Sequence, residues 1–238
     1  MNPKARLLAA LDHTRLGTSD EPDDIRRFCA EAAAGRARPA AVCVHPQFAG
    51  VARSALDASG APGIAVAVVA NFPEGGTDAA RPLGEIHTAQ AAGAAEFDLV
   101  FPWRAWLDGD RDAAFRLLAA CRAASAGCVL KVILETGELG EPRLICEAAS
   151  LALDAGADFM KTSTGRTAVG ATPAAARAIL ETIRVRGHGG LKVSGGIRTV
   201  ADAAVYLDLA DAILGAGWAR PATFRIGASS LLAALRAE

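Results

Sequence analysis

Lysine is scarce in this sequence, and the scarcity makes each lysine informative. The 238 residues carry 25 basic side chains, but the only lysines are Lys4, Lys131, Lys161 and Lys192. Arginine therefore supplies most of the positive charge. A guanidinium stays protonated in proteins, whereas an ammonium can lose its proton when it is buried. Because three of the four lysines lie inside apolar runs, we expect them to be buried and to have a chemical role.

Other absences narrow the range of functions. The net charge is -1 with acidic and basic residues interspersed, so neither a nucleic acid nor a membrane surface is an expected partner. The sequence has no secretory start and no apolar run of about 18 residues, so we expect a cytoplasmic protein. The five cysteines include no C-x-x-C pair, which disfavours a disulfide framework or a zinc site. A small neutral or anionic molecule is the expected ligand.

The chain also lacks the common short catalytic signatures. Its four histidines form no metal-binding pattern, so no metal ligand is predicted. No G-x-S-x-G or Walker sequence occurs, which disfavours a hydrolase nucleophile elbow and a nucleotide-binding loop. Chemistry is therefore sought in the buried lysines and their neighbours.

Apolar runs rich in β-branched residues recur along the chain and end in turn residues, as strands do. Predicted strands are 41–46, 64–73, 97–102, 129–137, 159–165, 191–196 and 224–229, with an eighth at 8–13. Alanine-rich segments of helical length separate most of them. The clearest are 111–126, 143–155, 173–186 and 200–209. Thr172 and Thr199 are predicted helix caps, Thr199 in a capping box with Asp202.

The spacing of these elements predicts the fold. Successive strands begin about 30 residues apart, which is the length of one strand-helix unit of a parallel sheet. No linker or low-complexity tract divides the chain, so we expect one α/β domain over residues 1–238. Eight such units would close into a single-domain (β/α)8 TIM barrel. The alternative is an open doubly wound sheet, although no G-x-G-x-x-G follows the first strand.

Lys131, Lys161 and Lys192 fall on consecutive predicted strands. Adjacent strands lie about 4.8 Å apart, so three ammonium groups inside a barrel would crowd one another. Burial and like charge both lower the pKa of a lysine, and a neutral amine attacks carbonyls. The alternative is that these lysines reach solvent or pair with carboxylates in a structural role.

Asp98 alternates with large apolar residues and is predicted to face the barrel interior, with Glu96 on the same face nearer the strand's start. An unpaired buried carboxylate is costly, so Asp98 is expected to meet a lysine. A proton shuttle and a structural ion pair are both open interpretations. Cys43, at the end of another predicted strand, fits either core packing or the lining of a pocket.

Glycine- and hydroxyl-rich turns follow the last three strands, at 162–166, 194–196 and 227–230. Glycines let backbone N–H groups approach an anion, and barrels often bind phosphate after their seventh and eighth strands. Arg166 adds a guanidinium that can fork onto phosphate oxygens. The sequence therefore predicts a phosphorylated substrate.

Several of these segments together resemble the deoxyribose-phosphate aldolase family over residues 11–232. The matching segments are ANFP at 70–73, FDLVFP at 97–102, KVILETG at 131–137, DFMKTSTG at 158–165, LKVSGGIRT at 191–199 and IGASS at 226–230. The resemblance implies a class I aldolase on a (β/α)8 barrel that needs no cofactor. Its expected substrates are 2-deoxy-D-ribose 5-phosphate, acetaldehyde and D-glyceraldehyde 3-phosphate, in deoxyribose phosphate catabolism.

The resemblance also implies a role for each site residue. Lys161 matches the Schiff-base lysine, Lys192 the second lysine that keeps it neutral, and Asp98 and Lys131 the residues that manage protons. Implied substrate contacts are Asp12, Cys43, Thr162, Gly165, Arg166, Gly195, Gly196, Ser229 and Ser230. The family often has lysine in place of Arg166. A tyrosine-bearing tail known in some members has no counterpart, since Tyr206 is the only tyrosine.

Three alternatives stay open at this point. They are another Schiff-base aldolase with a longer phosphorylated substrate, a non-catalytic barrel that binds sugar phosphates, and a metal-dependent barrel enzyme. The sequence does not determine the oligomeric state, and a homodimer and a homotetramer are both compatible with it.

Overall fold

The computed structural model describes residues 2–237 and contains a closed barrel of eight parallel strands in chain order. The strands are β1 (Leu11–Thr14), β2 (Ala41–Val44), β3 (Ala65–Ala70), β4 (Glu96–Val100), β5 (Val129–Ile133), β6 (Phe159–Lys161), β7 (Gly190–Ser194) and β8 (Phe224–Ala228). β1 pairs with both β2 and β8, which closes the sheet. The predicted (β/α)8 barrel is confirmed, and the alternative of an open doubly wound sheet is wrong.

Helices surround the barrel and bury their apolar faces against the strands. They are α1 (Pro3–Ala9), α2 (Pro22–Ala33), α3 (Ala49–Ala58), α4 (Ala80–Ala91), α5 (Trp103–Leu107), α6 (Arg111–Ala124), α7 (Thr136–Leu139), α8 (Pro142–Asp154), α9 (Pro173–Arg186), α10 (Val200–Leu214) and α11 (Leu231–Arg236). Within residues 2–237, none of these helices has the length and apolar character required to cross a membrane.

Local signals in the sequence account for the ends of the long helices. Thr172 caps α9 by accepting a hydrogen bond from the backbone N–H of Ala175, and Gly187 ends that helix at a φ of 73°. Thr199 and Asp202 form the predicted capping box at the start of α10. That helix continues to Leu214, five residues beyond the predicted end, because Leu209, Ile213 and Leu214 pack against the core.

The predicted strands differ in their bounds from the observed ones: β2 to β8 each end one to four residues before the predicted end, and β1 begins three residues after the predicted start. The predicted strand at 8–13 begins inside α1, where Leu7 and Leu8 are buried on one helical face, and β1 starts only at Leu11. The predicted strand at 129–137 ends at Ile133. Glu135 then adopts a left-handed conformation with φ 56°, which turns the chain into the short helix α7.

The strand register brings charged residues to neighbouring positions around the barrel. Asp98 on β4 lies beside Lys131 on β5. Lys161 on β6 is paired with Lys192 on β7, which in turn is paired with Arg225 on β8. All five side chains are buried. The fold therefore collects charge in the barrel interior, although parallel strands usually carry apolar side chains there.

The base of the barrel has no room for a side chain at Gly190. A Cβ atom built there would lie 2.5 Å from the Phe159 ring and 2.8 Å from the carbonyl oxygen of Thr223. We expect Gly190→Ala to lower the free energy of unfolding by about 1–3 kcal/mol, the usual cost of overpacking. Chemical denaturation followed by circular dichroism measures this.

Gly84→Ala in helix α4 is the matched control, since no neighbouring atom would lie within 4 Å of the added Cβ. Removing a glycine from a helix interior should raise stability by about 0.5–1 kcal/mol. A Gly190→Ala protein as stable as the wild type would contradict the close packing described for the barrel base.

Candidate active site

Asp98 lies at the centre of the barrel interior and contacts all three buried lysines. Its Oδ1 is 3.0 Å from Nζ of Lys131, and its Oδ2 is 2.7 Å from Nζ of Lys161 and 2.6 Å from Nζ of Lys192. The Asp98 side chain is fully buried. The sequence prediction that Asp98 faces the interior and meets a lysine is confirmed. One carboxylate thus accepts hydrogen bonds from three neighbouring lysine amines.

Asp12 and Glu96 complete the set of buried carboxylates that contact the lysines. Asp12 Oδ2 lies 2.5 Å from Nζ of Lys192 and 3.4 Å from Nζ of Lys131. Glu96 Oε2 lies 2.6 Å from Nζ of Lys131. Lys131 therefore contacts three carboxylates and Lys192 contacts two, while Lys161 has Asp98 as its single ion-pair partner among residues 2–237.

Arg225 is the fourth cation of this cluster and was missed by the sequence analysis. Its Nη1 donates to Asp12 Oδ1 at 2.6 Å, and its Nη2 donates to Glu96 Oε1 at 2.8 Å. Its guanidinium also lies 5.7 Å from the centre of the Phe159 ring. An inward register on β8, next to Lys192, is the signal that could have identified it.

The carboxylates reverse the expected effect of crowding on two of the lysines. Burial acts to lower the pKa of Lys131, but Asp98, Glu96 and Asp12 outweigh it and raise that pKa above the usual value. The pKa of Lys192 is also raised, because Asp12 and Asp98 outweigh burial and the nearby Lys131. The expectation that burial and like charge depress these lysine pKa values is wrong for Lys131 and Lys192, which stay protonated.

The same contacts keep the carboxylates ionised. Burial opposes ionisation of Asp98, but the three lysines hold its pKa well below the ordinary value. Burial likewise opposes ionisation of Asp12, and Lys192, Lys131 and Arg225 lower its pKa in spite of it. The interior is therefore a charged network with hydrogen bonds to each ion, which is the condition for tolerating buried charge.

A cavity of about 360 Å³ opens above this network, at the carboxyl ends of β6, β7 and β8. Of the four lysines, Lys161 alone lines it. Seven of the residues proposed from sequence line this cavity: Lys161, Gly165, Arg166, Gly195, Gly196, Ser229 and Ser230. Thr164, Ser194, Gly227 and Ala228, which lie in the predicted glycine- and hydroxyl-rich turns, also line it. Thr14, Leu16, Ile197 and Arg198 line it as well and were not predicted.

Close backbone approaches shape the cavity wall. Gly195 has a φ of 94°, and a Cβ atom on it would lie 2.9 Å from the Cα of Gly170. Gly165 and Gly196 also have positive φ values, 77° and 84°. These conformations favour glycine and leave backbone groups uncovered by side chains. Such a wall suits an anion that is bound through main-chain N–H groups.

Arg166 spans the cavity mouth. One guanidinium nitrogen contacts the carbonyl oxygen of Leu16, and the guanidinium lies 5.8 Å from the centre of the Phe72 ring. Arg198 is the second arginine in the cavity lining. Two fixed positive charges therefore border the glycine-rich wall, which increases its suitability for an anionic group.

Three of the nine substrate contacts proposed from sequence lie below or beside the cavity instead of in its lining. Asp12 is part of the buried network. Cys43 is fully buried with its Sγ 3.8 Å from Asp98 Oδ2, and burial raises its pKa to about 11. Thr162 uses its hydroxyl to donate to the carbonyl oxygen of Ser194 and to accept from the N–H of Ser194, both at 3.0 Å. Thr162 thereby joins the ends of β6 and β7.

Glu135 organises the loop after β6 and was also missed. Its carboxylate accepts hydrogen bonds from the backbone N–H of Thr164 at 3.2 Å and from the Thr164 hydroxyl at 2.5 Å. The Thr167 hydroxyl donates to it at 3.3 Å. Glu135 is fully buried, and its backbone has a left-handed conformation. Its side chain extends from the end of β5 and, through these hydrogen bonds, holds the segment that carries Gly165 and Arg166.

The chain forms a closed parallel barrel with a buried amine at the floor of a cavity. The cavity lies at the carboxyl ends of the strands, where (β/α)8 barrel enzymes bind their substrates. These features define an enzyme of the (β/α)8 class. A family model of the DeoC/LacD family aldolases matches residues 6–237. The chain therefore belongs to the DeoC/LacD aldolase family and is a lyase. The family resemblance inferred from the sequence segments is confirmed.

Solved structures of similar chains agree with this assignment. A protein from Coccidioides immitis, provisionally named a deoxyribose-phosphate aldolase, is 30% identical with a TM-score of 0.83, and the match covers 95% of this chain and 83% of that one. One from Toxoplasma gondii ME49 with the same provisional name is 27% identical with a TM-score of 0.87, covering 98% and 95%. The tetrameric deoxyribose phosphate aldolase of Aeropyrum pernix is 26% identical with a TM-score of 0.79, covering 98% and 90%.

We expect Glu135→Gln to loosen the loop that follows β6, because an amide offers one acceptor oxygen in place of the carboxylate's two. Hydrogen exchange measured by mass spectrometry should become at least about tenfold faster in the peptide that contains Thr164, in line with a loss of more than 1 kcal/mol of local stability. Glu138→Gln, an exposed change three residues along, is the control and should leave exchange unaltered. Unchanged exchange in Glu135→Gln would contradict this role.

Proposed function

We propose that this protein is a class I aldolase in which Lys161 forms a Schiff base, and that it cleaves 2-deoxy-D-ribose 5-phosphate to acetaldehyde and D-glyceraldehyde 3-phosphate. The observation that carries the proposal is the position of Lys161. It lines the cavity, it is otherwise buried with 4% of its side chain exposed, and it contacts a single carboxylate. An amine in this position can contact a substrate in the cavity while the rest of its side chain stays inside the barrel.

The reaction begins when neutral Lys161 attacks the C1 aldehyde of the open-chain sugar phosphate. Loss of water from the resulting carbinolamine gives an iminium ion, which withdraws electrons from the chain. Lys192 favours the neutral form of the Lys161 amine. The raised pKa of Lys192 keeps this lysine positively charged, and its Nζ contacts the same Asp98 oxygen as Nζ of Lys161. The two lysines therefore have different parts in the proposed mechanism.

Carbon–carbon cleavage follows from the iminium. The C3 hydroxyl loses its proton, the C2–C3 electron pair moves toward the iminium nitrogen, and glyceraldehyde 3-phosphate leaves. Asp98 is the proposed acceptor of that proton, with water as carrier, since its Oδ2 lies 2.7 Å from the Lys161 nitrogen. Protonation of the enamine at C2 and hydrolysis then release acetaldehyde and restore Lys161. Lys131, which contacts Asp98 Oδ1, is proposed to assist these proton transfers.

The cavity supports a phosphorylated substrate. Its volume of about 360 Å³ lies in the range of small-molecule sites. Gly165, Gly195 and Gly196 expose main-chain groups at one end, with Arg166 and Arg198 nearby, while Lys161 lies at the floor. A short sugar with an aldehyde at one end and a phosphate at the other fits this separation of an amine from an anion site. The names of the similar solved structures favour the same substrate.

Reductive trapping tests the proposal. With acetaldehyde and borohydride, we expect one ethyl group on the peptide that contains Lys161, because reduction fixes the iminium as a secondary amine. The measurement is peptide mass spectrometry, together with an assay of acetaldehyde released from 2-deoxy-D-ribose 5-phosphate. Lys161→Arg keeps the positive charge but cannot form the imine, so activity should fall by at least about 10³-fold.

The matched control is Lys4→Arg, since Lys4 lies outside the barrel and donates to the carbonyl oxygen of Ala237. It should be as active as the wild type and should still be labelled at Lys161. Ethylation of Lys192 alone would overturn the assignment of roles. Binding of deoxyribose 5-phosphate without release of acetaldehyde would favour a non-catalytic sugar-phosphate protein, and loss of activity with a chelator would favour a metal-dependent enzyme.

A further inference from the structure

Arg225 and Glu96 form a buried pair below the residues that the proposed mechanism uses. Arg225 has 9% of its side chain exposed and Glu96 has 5%. Neither residue lines the cavity above Lys161, so neither is placed to touch substrate. The pair nevertheless joins the lysine network directly, because each carboxylate that Arg225 binds also binds a lysine.

The two carboxylates can be described oxygen by oxygen. Asp12 gives Oδ1 to Arg225 and Oδ2 to Lys192. Glu96 gives Oε1 to Arg225, and its Oε2 is shared by Lys131 at 2.6 Å and Nη1 of Arg225 at 3.1 Å. Arg225 therefore contacts three of the four oxygen atoms of these two carboxylates, and its positive charge lies directly beside the lysines.

A count of charges shows the consequence. With every group ionised, the interior network holds four cations and three carboxylates, an excess of one positive charge. The excess is relieved when one lysine loses a proton. Arg225 cannot supply that proton, since a guanidinium is not deprotonated in proteins. Lys131 contacts three carboxylates and Lys192 contacts two, whereas Lys161 contacts one, so the network holds Lys161 with the fewest ion pairs.

Among residues 2–237, no other titratable group is positioned to replace this pair. The strands contribute Asp12 on β1, Cys43 on β2, Glu96 and Asp98 on β4, and one cation each on β5, β6, β7 and β8. β1 also carries His13, which stacks on Phe28 of helix α2 and has no ion pair with the network. β3 consists only of alanine and valine. Cys43 stays neutral, because burial raises its pKa to about 11. Arg166 and Arg198 lie on the cavity side of Lys161, where both add positive charge.

We propose that Arg225 and Glu96 are positioning residues that set the net charge of the buried network, and thereby the pH at which Lys161 becomes a nucleophile. The inference rests on the proposed function in that it assigns the nucleophile to Lys161. It concerns residues that act through the lysines and not on substrate. A purely structural role, in which Arg225 fills the barrel base beside Phe159, predicts lost stability without a directed change in the pH dependence.

The test is the pH dependence of Lys161 reactivity in the wild type, four variants of the network and one surface control. Trace acetic anhydride acylates neutral amines, and peptide mass spectrometry from pH 5 to pH 10 gives the half-reactive pH of Lys161. Arg225→Gln removes a positive charge and should raise that pH by on the order of one unit. Glu96→Gln removes a negative charge and should lower it by a similar amount.

Two further variants separate charge from packing. The double variant Arg225→Gln/Glu96→Gln keeps an excess of one positive charge, so its half-reactive pH should return to within about 0.3 units of the wild type. Arg225→Lys retains the cation and should also stay near the wild type, even if it is less stable, since Arg-to-Lys changes lose the forked geometry. Arg184→Gln on α9, whose exposed partner is Glu181, is the surface control.

Shifts of opposite sign in the two single variants, cancelling in the double variant, support the inference. Unshifted values, or shifts of the same sign, overturn it. If Arg225→Gln does not fold, Glu96→Gln and the double variant still decide the question. Acylation needs no turnover, so a protein that shows these shifts but releases no acetaldehyde would refute the proposed function alone. An active protein with unshifted variants would refute this inference alone.

Discussion

The carboxylate of Asp98 is the interaction on which the interior of this barrel depends. The amines of three lysines on β5, β6 and β7 meet at its two oxygens, at 3.0, 2.7 and 2.6 Å. Two ammonium groups about 4 Å apart repel by about 4 kcal/mol at an effective dielectric constant of about 20. The negative charge of Asp98 offsets that repulsion and links the lysines in one network. Asp12 and Glu96 extend this network toward the base of the barrel. The strand register serves this arrangement, because neighbouring strands present Asp98 beside Lys131 and Lys161 beside Lys192.

The network and the cavity above it are joined at a single side chain. Lys161 belongs to both, whereas Lys131 and Lys192 are closed off from the cavity. The cavity wall is built from turns after β6, β7 and β8, where glycines at positive φ leave the main chain exposed. Glu135 fixes one of these turns from an adjacent strand. The strands thus position the amine, and loops tied to those strands position the proposed anion site, which is the usual division in barrel enzymes.

The sequence predicted the larger features because they depend on local patterns. Apolar runs spaced by about one strand-helix unit predicted the eight strands. Thr172, Thr199 and Gly187 marked the ends of helices through local hydrogen bonds. The scarcity of lysine drew attention to three side chains that do meet in the interior. The predicted start of β1 was wrong, since the apolar segment around Leu8 fits a helical face and a strand equally well.

Long-range geometry explains what the sequence could not provide. Arg225 was overlooked because the lysines were weighed and the arginines were treated as surface cations, although Arg225 lies inside the predicted strand at 224–229. Its importance comes from Asp12 and Glu96, which are 213 and 129 residues away. The pKa values of Lys131 and Lys192 were misjudged for the same reason, since crowding of lysines was visible in the sequence but the number of carboxylates around each was not.

The scarcity of lysine has a consequence for the outer surface of the molecule. Arginine provides the exposed ion pairs on the helices, as in Arg53 with Asp57 and Arg184 with Glu181. Lys4 is the only lysine whose amine lies outside the barrel. Aldehydes condense with neutral amines far more readily than with guanidinium groups, which stay protonated. Under the proposed function, this composition leaves the aldehyde reactants few lysine amines on the outer surface with which to condense.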